Sequence, residues 1–357
     1  MASKRCRLQQ SVSTKARLLA SLCIWPESSE QVDYFLMLKP HLERVLVTGA
    51  SGTLGYNVVQ HVAVRHPETR FLIVMRTLDR ELFAALPNVE LEQVDLSDPA
   101  RIAATVAGFR PNAIIHCAAS GVRPSKFSYF DFISVNVGAT LDLFRASCEI
   151  DGCHFINIST GLVYGSQERP CRESDPINTL HPYGASKAAA DCLLRAGAES
   201  LGRHLTIIRP FSFTGVHDGG DRLFPSLLRA AMEGKPFAMS PGTQLRDFCA
   251  VEDVAEAIGL VLEEGEQQSR DIFNVGSGLS VSLGRIVSSV VRQLDLDVQI
   301  QLSARPFHRF EPNGLVADIS RIESIGWRPK INLAYAVWQL ARSSFPKLTV
   351  TEPEKYR

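Results

Sequence analysis

The chain has 357 residues, of which 45% are hydrophobic and 21% are charged, as is common for globular proteins. The 38 basic residues balance the 38 acidic ones, so the charge indicates no nucleic-acid-binding surface. No apolar run reaches the roughly 18 residues that a membrane span needs. The composition therefore argues against nucleic-acid-binding and membrane-spanning proteins.

The eight cysteines are scattered, and none forms a Cys-x-x-Cys pair. Metal sites built from cysteine need ligands at short, regular spacings. Thiols dispersed through a long chain are typical of proteins kept in a reducing compartment. The sequence therefore predicts no metal site and a cytoplasmic location.

Residues 1–43 precede the first regular pattern. The first 26 residues contain five basic side chains and no acidic one, a composition that resembles an organelle transit peptide. An irregular extension or a short docking helix is nevertheless the favoured interpretation. The segment lacks a signal-peptide cleavage pattern, so it does not indicate secretion.

From residue 44 onward, short apolar runs alternate with helical stretches. A continuous run such as 71–75, FLIVM, is typical of a strand buried on both faces of a sheet. The clearest helical stretches are 138–150 and 186–201. This alternation predicts an α/β fold with a doubly wound parallel sheet of the Rossmann type. The other predicted strands are 44–47, 89–94, 113–116, 154–158, 205–208 and 271–274.

The spacing of these elements loosens after about residue 210, where proline, glycine and phenylalanine cluster up to residue 250. We therefore predict a dinucleotide-binding domain over 44–209, with a late strand near 271–275. Residues 210–345 would form mainly a smaller substrate-binding lobe, and 346–357 a tail.

A glycine-rich turn follows the first predicted strand: residues 48–55 read TGASGTLG. Glycine lets the backbone turn sharply and approach a pyrophosphate closely, and the following helix offers free N–H groups to the phosphates. The placement between a strand and a helix predicts a dinucleotide site. The candidate cofactor contacts in this turn are Gly49, Ser51, Gly52, Thr53, Leu54 and Gly55.

The end of the second strand indicates which dinucleotide is bound. An acid there binds the ribose 2′-hydroxyl of NAD, whereas an arginine suits the 2′-phosphate of NADP. Here the strand ends in Arg76, which favours NADP, with NAD as the alternative. Asp95 and Leu96 close the third strand and are expected beside the adenine.

Tyr183 and Lys187 carry the main chemical signal. Four residues apart on a helix, they project from one face, and an ammonium beside a phenol is expected to lower the pKa of the phenol. Tyr183 would then serve as an acid or base. Upstream, a predicted strand ends in Ser159 and Thr160, and Thr160 can hydrogen-bond the same substrate oxygen. Together these residues predict a carbonyl/alcohol site beside a dinucleotide.

These motifs resemble those of the extended short-chain dehydrogenases/reductases, in particular the nucleotide-sugar epimerases, dehydratases and ketoreductases. The resemblance runs from about residue 44 to 343 and includes the glycine turn, the Tyr–Lys pair and further motifs in family order. Among these are IHCAA at 115–119, NVGAT at 136–140, STGLVYG at 159–165, RDF at 246–248 and FNVG at 273–276.

The resemblance implies roles for single residues and for the assembly. Thr160, Tyr183 and Lys187 would be catalytic, with Lys187 also holding the nicotinamide ribose, and Ala118 and Ala119 would contact the cofactor. Arg246 would clamp the diphosphate of a nucleotide-diphosphate sugar. Either Arg305 or Arg309 would supply a second phosphate-binding arginine. The family also suggests a homodimer, formed by two long helices.

Three positions depart from the family pattern. The sugar dehydratases place Asp-Glu directly after the catalytic threonine, where this chain has Gly161 and Leu162. Neither can act as an acid or base, which disfavours dehydration. Ser212 replaces an asparagine that helps to hold the substrate phosphates, so Ser212 stays a candidate substrate contact with its details open.

Because these departures disfavour dehydration, simple reduction is the favoured activity. The sequence predicts an NADPH-dependent reductase of a nucleotide-linked 4-keto-6-deoxysugar, with Tyr183 as the proton donor. The alternative is a nucleotide-sugar 4-epimerase that keeps its NAD bound. A remote alternative is a regulator that binds dinucleotide without turnover, and its binding would survive Tyr183→Phe unchanged.

Overall fold

The structure is a computed structural model that describes residues 42–121, 128–265, 271–307 and 309–356. The predictions for the N-terminal extension fall outside the described residues, except for its last two positions. Within these ranges, no helix is long and apolar enough to cross a membrane, and no group of three or more acidic, histidine or cysteine side chains is arranged to hold a metal ion.

A seven-stranded parallel sheet forms the centre of the molecule, as predicted. Counting only its own strands in chain order, the spatial order is 7-6-5-4-1-2-3. Every neighbouring pair is parallel. The strands are β1 Arg44–Thr48, β2 Arg70–Met75, β3 Val89–Gln93, β4 Ala113–His116, β5 His154–Ile158, β6 His204–Pro210 and β7 Ile272–Val275.

Helices cover both faces of this sheet, because its strands are apolar on both sides. On one face, α1 (Thr53–Arg65) and α6 (Val251–Glu264) share a core with β1 and β2. On the other face, α2 (Pro99–Phe109), α3 (Thr140–Cys148) and α4 (Pro182–Leu201) pack against the same strands. The predicted doubly wound Rossmann architecture is therefore confirmed.

Two helices begin earlier than their sequence patterns indicate. A one-turn helix at Tyr129–Asp131 and a π-helix at Phe132–Ala139 lead directly into α3. Asn136, inside the π-helix, bonds both backbone groups of Ser120 and the hydroxyl of Ser186, which ties this segment to α4. α4 begins at Pro182, because the fixed backbone of proline suits the first turn of a helix.

The smaller lobe has its own apolar core, formed by three amphipathic helices and short strands. The segment predicted for this lobe is nevertheless divided between two cores, since α6 and β7 return to the Rossmann sheet. The lobe helices are α5 Leu223–Met232, α7 Leu283–Gln293 and α9 Leu333–Ser344, and the one-turn helix α8 is Ser320–Glu323. Its short strands are Ser212–Thr214, Phe237–Ala238, Leu245–Arg246, Phe248–Ala250, Val281–Ser282, Ile300–Gln301 and Gly314–Leu315.

Candidate active site

A large cleft opens at the carboxyl ends of the central strands, where ligands bind in open α/β sheets. It brings together residues that lie far apart in the sequence, from the glycine turn to the substrate lobe. Among the predicted site residues, those that line it are Gly49, Ser51, Gly52, Thr53, Leu54, Gly55, Arg76, Ala119, Thr160, Tyr183, Ser212 and Arg246.

The glycine turn has the geometry of a pyrophosphate cradle. Gly49 has a φ of +75°, and a Cβ at this position would lie 2.4 Å from the backbone nitrogen of Ala118. No side chain caps the N-terminus of α1 behind Gly52, so the N–H groups of the first helical turn remain available to an anion. These residues fit the phosphates of a dinucleotide.

Of the other predicted cofactor residues, some line the cleft and others do not. Arg76 is an exposed side chain at the end of β2 and lines the cleft. Ala118 lies behind Gly49 and is not a lining residue. Asp95 and Leu96 are also absent from the cleft lining, and the carboxylate of Asp95 accepts hydrogen bonds from Ser97. Contact of Asp95 and Leu96 with the adenine stays a prediction.

Thr160 and Tyr183 both line the cleft. Thr160 follows β5, and its hydroxyl oxygen accepts from the amide of Leu162 at 3.3 Å. Tyr183 lies in the first turn of α4, and Lys187 follows one turn later with its side chain fully enclosed. Within the described chain, the Nζ atom of Lys187 has no hydrogen-bond partner. A buried ammonium without a partner fits a ligand hydroxyl, such as that of the nicotinamide ribose.

The expected lowering of the tyrosine pKa by Lys187 is wrong for this structure. Burial raises the pKa of Tyr183 to about 12, and the charge of Arg222 opposes that increase in part. Burial also lowers the pKa of Lys187 from its ordinary value. Desolvation therefore outweighs the nearby positive charge of Arg222, and the phenol is protonated at neutral pH.

A segment of the lobe is fastened to the glycine turn, a feature that the sequence analysis missed. Asn57 donates to the carbonyl of Val216 at 2.8 Å, and Thr53 donates to the carbonyl of His217 at 3.2 Å. The His217 ring stacks on Tyr56 with centroids 4.5 Å apart. We call residues 216–222 the strap. Its contacts are made across more than 150 residues of sequence, so no local pattern indicates them.

Arg222, at the end of the strap, is a cleft residue that the sequence did not indicate. Its guanidinium forms an ion pair with Asp218 at 3.0 Å and donates to the carbonyl of Phe213 at 2.9 Å. Both Arg222 and Asp218 line the cleft. In the sequence, the only indication for Arg222 is its position just before a lobe helix. That position alone is weak evidence for a cleft residue.

The substrate end of the cleft differs from the predicted pair of phosphate-binding arginines. Arg246 lines the cleft, but its guanidinium is 2.9 Å from the carboxylate of Glu311. Glu311 also accepts from Gln244 at 2.9 Å. Arg305 and Arg309 are not among the lining residues, and the Arg309 guanidinium lies over the ring of Phe310. The structure therefore places a carboxylate beside Arg246, and a second phosphate-binding arginine stays a prediction.

An aromatic ring packs against the residue that follows Thr160. A Cβ at Gly161 would lie 2.9 Å from the ring of Phe211. Phe211 is buried and stacks on Tyr164 with centroids 6.2 Å apart. A side chain at residue 161 would therefore force the Phe211 ring to move.

Comparison with known proteins identifies the family. The sequence model described as "NAD dependent epimerase/dehydratase family" matches residues 45–276. The chain belongs to this family. It is therefore an enzyme of the extended short-chain dehydrogenase/reductase type, as the sequence motifs indicated.

Three similar proteins show the range of this family. The dTDP-glucose 4,6-dehydratase of Neisseria meningitidis is 32% identical over 259 residues, which cover 66% of this chain and 71% of that protein. The structure of MoeE5 with UDP-glucose and NAD is 26% identical, with a TM-score of 0.75 and coverages of 85% and 99%. UDP-glucuronic acid 4-epimerase from Bacillus cereus, solved with UDP-glucuronic acid and NAD, is 22% identical, with a TM-score of 0.77 and coverages of 85% and 100%.

Proposed function

We propose that this enzyme reduces the ketone of a nucleotide-linked 4-keto-6-deoxysugar in carbohydrate biosynthesis. The observation that carries the proposal is the contact between Gly161 and Phe211. The sugar dehydratases that this chain resembles place Asp-Glu directly after the catalytic threonine, which corresponds to positions 161 and 162. Here a Cβ at 161 would lie 2.9 Å from the Phe211 ring, and position 162 is the cleft-lining Leu162. Neither position offers a group for eliminating water.

The remaining groups suit a simple reduction. The hydroxyl of Thr160 would hydrogen-bond the ketone oxygen, and Tyr183 would give that oxygen its phenolic proton. Because burial raises the pKa of Tyr183 to about 12, the phenol carries its proton throughout the neutral range, as a proton donor must. Lys187 would hold the nicotinamide ribose. A reduced dinucleotide bound at the glycine turn would supply the hydride.

NADP is the proposed form of the cofactor. Arg76 supports this, since its exposed guanidinium lines the cleft at the end of β2, where a 2′-phosphate would need a cation. The similar solved structures contain NAD. Measuring Kd for NADPH and NADH tests the assignment directly, and equal values for the two would remove it.

A 4-epimerase with retained NAD is the second candidate, and the strap favours it. Residues 216–222 are hydrogen-bonded to the glycine turn and the start of α1 through Ser51, Thr53 and Asn57. A dinucleotide on this turn would have to leave beside a fastened segment, which would slow its release. Slow release suits an epimerase, because the same cofactor is oxidised and reduced in each cycle.

Turnover assays with purified protein separate the two activities. A reductase consumes added NADPH in proportion to the ketone lost from UDP- or dTDP-linked 4-keto-6-deoxyglucose. An epimerase purifies with dinucleotide bound and interconverts UDP-glucose and UDP-galactose without added reductant. Formation of the 4-keto-6-deoxysugar from dTDP-glucose would instead show dehydration and contradict the proposal.

Tyr183→Phe is the matched variant for this assay. It removes the transferable proton and little else, so kcat should fall by about 10²- to 10⁴-fold while dinucleotide binding persists. Turnover at the unmodified rate would remove Tyr183 from the mechanism.

We also propose a cytoplasmic homodimer. Exposed apolar side chains on the segment before α3 and on α4 would be covered by a second copy; they include Phe130, Ile133, Leu193 and Leu201. The six described cysteines are free thiols, which fits the cytoplasm. Light scattering on the purified protein would give a mass close to twice that of the chain, and a monomer would overturn the dimer proposal.

A further inference from the structure

Three ionisable side chains follow one another along the buried face of α4. Tyr183, Lys187 and Asp191 are spaced one helical turn apart, so they project in the same direction. Lys187 and Asp191 are both fully buried. The proton-donating phenol is therefore the first member of a line that continues through an ammonium to a carboxylate.

Lys187 is an unusual buried cation. Burial lowers the pKa of Lys187, since an enclosed ammonium without partners is costly. The groups whose charge bears on it are Asp191 on the same helix, and Cys117 and His116 at the end of β4. Burial raises the pKa of the Cys117 thiol to about 12 and lowers that of His116 to about 3. Both are therefore neutral, and Asp191 is the anion that favours a charged Lys187.

The carboxylate of Asp191 is fixed by side chains from two neighbouring strands. It accepts hydrogen bonds from Ser159 at 2.7 Å, from Asn157 at 3.1 Å, and from the Nε and Nη2 atoms of Arg209 at 3.3 and 3.2 Å. Four donors without a competing acceptor indicate an ionised carboxylate. Burial raises the pKa of Asp191, and the Arg209 guanidinium opposes that increase.

Arg209 is itself held in place, so the carboxylate cannot easily move. Its Nη1 atom donates to the hydroxyl of Tyr164 at 2.9 Å, and that hydroxyl donates to Asn274 on β7 at 2.8 Å. The guanidinium also lies 5.1 Å from the centre of the Tyr164 ring. Three strands of the sheet therefore hold one carboxylate one turn beyond Lys187.

We propose that Asp191 is a positioning residue that keeps Lys187 protonated and thereby sets the alkaline limit of dinucleotide binding and of turnover. The inference rests on the proposed role of Lys187 in holding the nicotinamide ribose. Asp191 touches neither substrate nor cofactor and acts through its charge.

The direction of the effect follows from the charges. Lys187 holds its proton below its pKa and loses it as the pH rises through that pKa. Asp191→Asn removes the neighbouring anion, so Lys187 becomes neutral at lower pH. Tyr183 faces Arg222, Asp191 and the ring of His181. Without the Asp191 charge the phenol also ionises at lower pH, so both changes move the alkaline limit of reduction in the same direction.

The test is the Kd of NADPH and NADH, measured by calorimetry from neutral to alkaline pH without any sugar. The rise of Kd at alkaline pH should begin about one pH unit lower for Asp191→Asn than for the unmodified protein. Asp191→Glu keeps the negative charge, so the rise of Kd should begin at the same pH as in the unmodified protein. Tyr164→Phe is the matched control, because it removes a hydrogen bond of the same network and leaves both charges, so its limit should not move.

Asp191→Asn leaves Arg209 as an unpaired buried cation, which can prevent folding. The double variant Asp191→Asn with Arg209→Met removes both charges and should also show the lower limit. Equal weakening at every pH in both variants would show a purely structural role and overturn the proposal. An unchanged pH profile in Lys187→Met would overturn it too, since the limit would then belong to another group.

The measurement is independent of the proposed reduction. A protein that shows the shifted limit but reduces no keto sugar would retain this inference and lose the proposed function. Absence of dinucleotide binding by the unmodified protein at every pH would remove both.

Discussion

The two ends of the cleft hold their charged groups in different ways. At the cofactor end, the glycine turn presents uncapped backbone amides, and Lys187 is enclosed without a hydrogen-bond partner among the described residues. At the substrate end, Arg246 already has a carboxylate, since its guanidinium pairs with Glu311 at 2.9 Å. An anion meets free backbone amides at the glycine turn, whereas at Arg246 it must compete with the carboxylate of Glu311.

The glycine turn can bind an anion without rearrangement, whereas Arg246 can bind one only after its ion pair with Glu311 is broken. Donors fixed in advance lose little freedom when a ligand arrives. Breaking an enclosed ion pair leaves one charge without its partner, unless the ligand replaces that partner fully. The glycine turn therefore needs no rearrangement to accept a pyrophosphate, whereas an anion that binds Arg246 would have to replace Glu311.

The largest expected effect is at the cofactor end, with Gly49→Ala. Gly49 has a φ of +75° and a backbone atom 2.4 Å from the position of a Cβ, so alanine there is both strained and obstructed. We expect a loss of about 3 kcal/mol in the free energy of unfolding and no measurable NADPH binding. Denaturant unfolding and calorimetry would measure the two effects.

Gly108→Ala is the control for this substitution. Gly108 lies in α2, and no atom comes within 4 Å of its Cβ position, so alanine should be neutral or stabilising by up to about 1 kcal/mol. Similar losses for the two variants would mean that the glycine turn imposes no special geometry.

Arg76→Asp tests which dinucleotide binds at the cofactor end of the cleft. If Arg76 holds the 2′-phosphate, the variant should weaken NADPH binding by about 2 kcal/mol, or roughly thirtyfold, and leave NADH much less affected. The ratio of the two Kd values is the measurement. Arg80→Asp is the control, since this nearby exposed arginine does not line the cleft. Equal loss of both dinucleotides in Arg76→Asp would contradict the NADP assignment.

The smallest effect is expected at the substrate end, with Glu311→Gln. Glutamine keeps the size of the side chain and removes the charge that competes for Arg246. UDP should then bind about fivefold more tightly, a gain of about 1 kcal/mol. Asp221→Asn, which removes a charge elsewhere in the cleft lining, controls for the general field. An unchanged UDP affinity in Glu311→Gln would show that both ends of the cleft are equally ready for an anion.

The sequence predicted the parts of the site that depend on local order. The turn at Gly49, the hydroxyl of Thr160 after β5 and the Tyr183–Lys187 spacing each lie within one strand–turn–helix unit. Their placement in one cleft follows from the parallel order of the strands, because the carboxyl ends of such strands meet at one edge. The predicted Rossmann sheet is confirmed because each of its strand–helix units also follows a local sequence pattern.

Tertiary structure alone decided the electrostatics of the site. The raised pKa of Tyr183 depends on how deeply the phenol is enclosed, and enclosure is a property of packing. The pairing of Arg246 with Glu311 arises where the strand Leu245–Arg246 lies beside the strand Gly314–Leu315. The contact of Phe211 with Gly161 joins the ends of two neighbouring strands. None of these contacts is periodic in the sequence.

The amino-acid sequence by itself determined that this is a dinucleotide-binding α/β enzyme with a tyrosine–lysine pair, because backbone periodicity and glycine geometry act over a few residues. The folded chain decided the pKa values of that pair and which arginines of the cleft are paired with carboxylates. Those outcomes depend on desolvation and on side chains brought together across 18 to 169 residues of sequence, and only packing sets both.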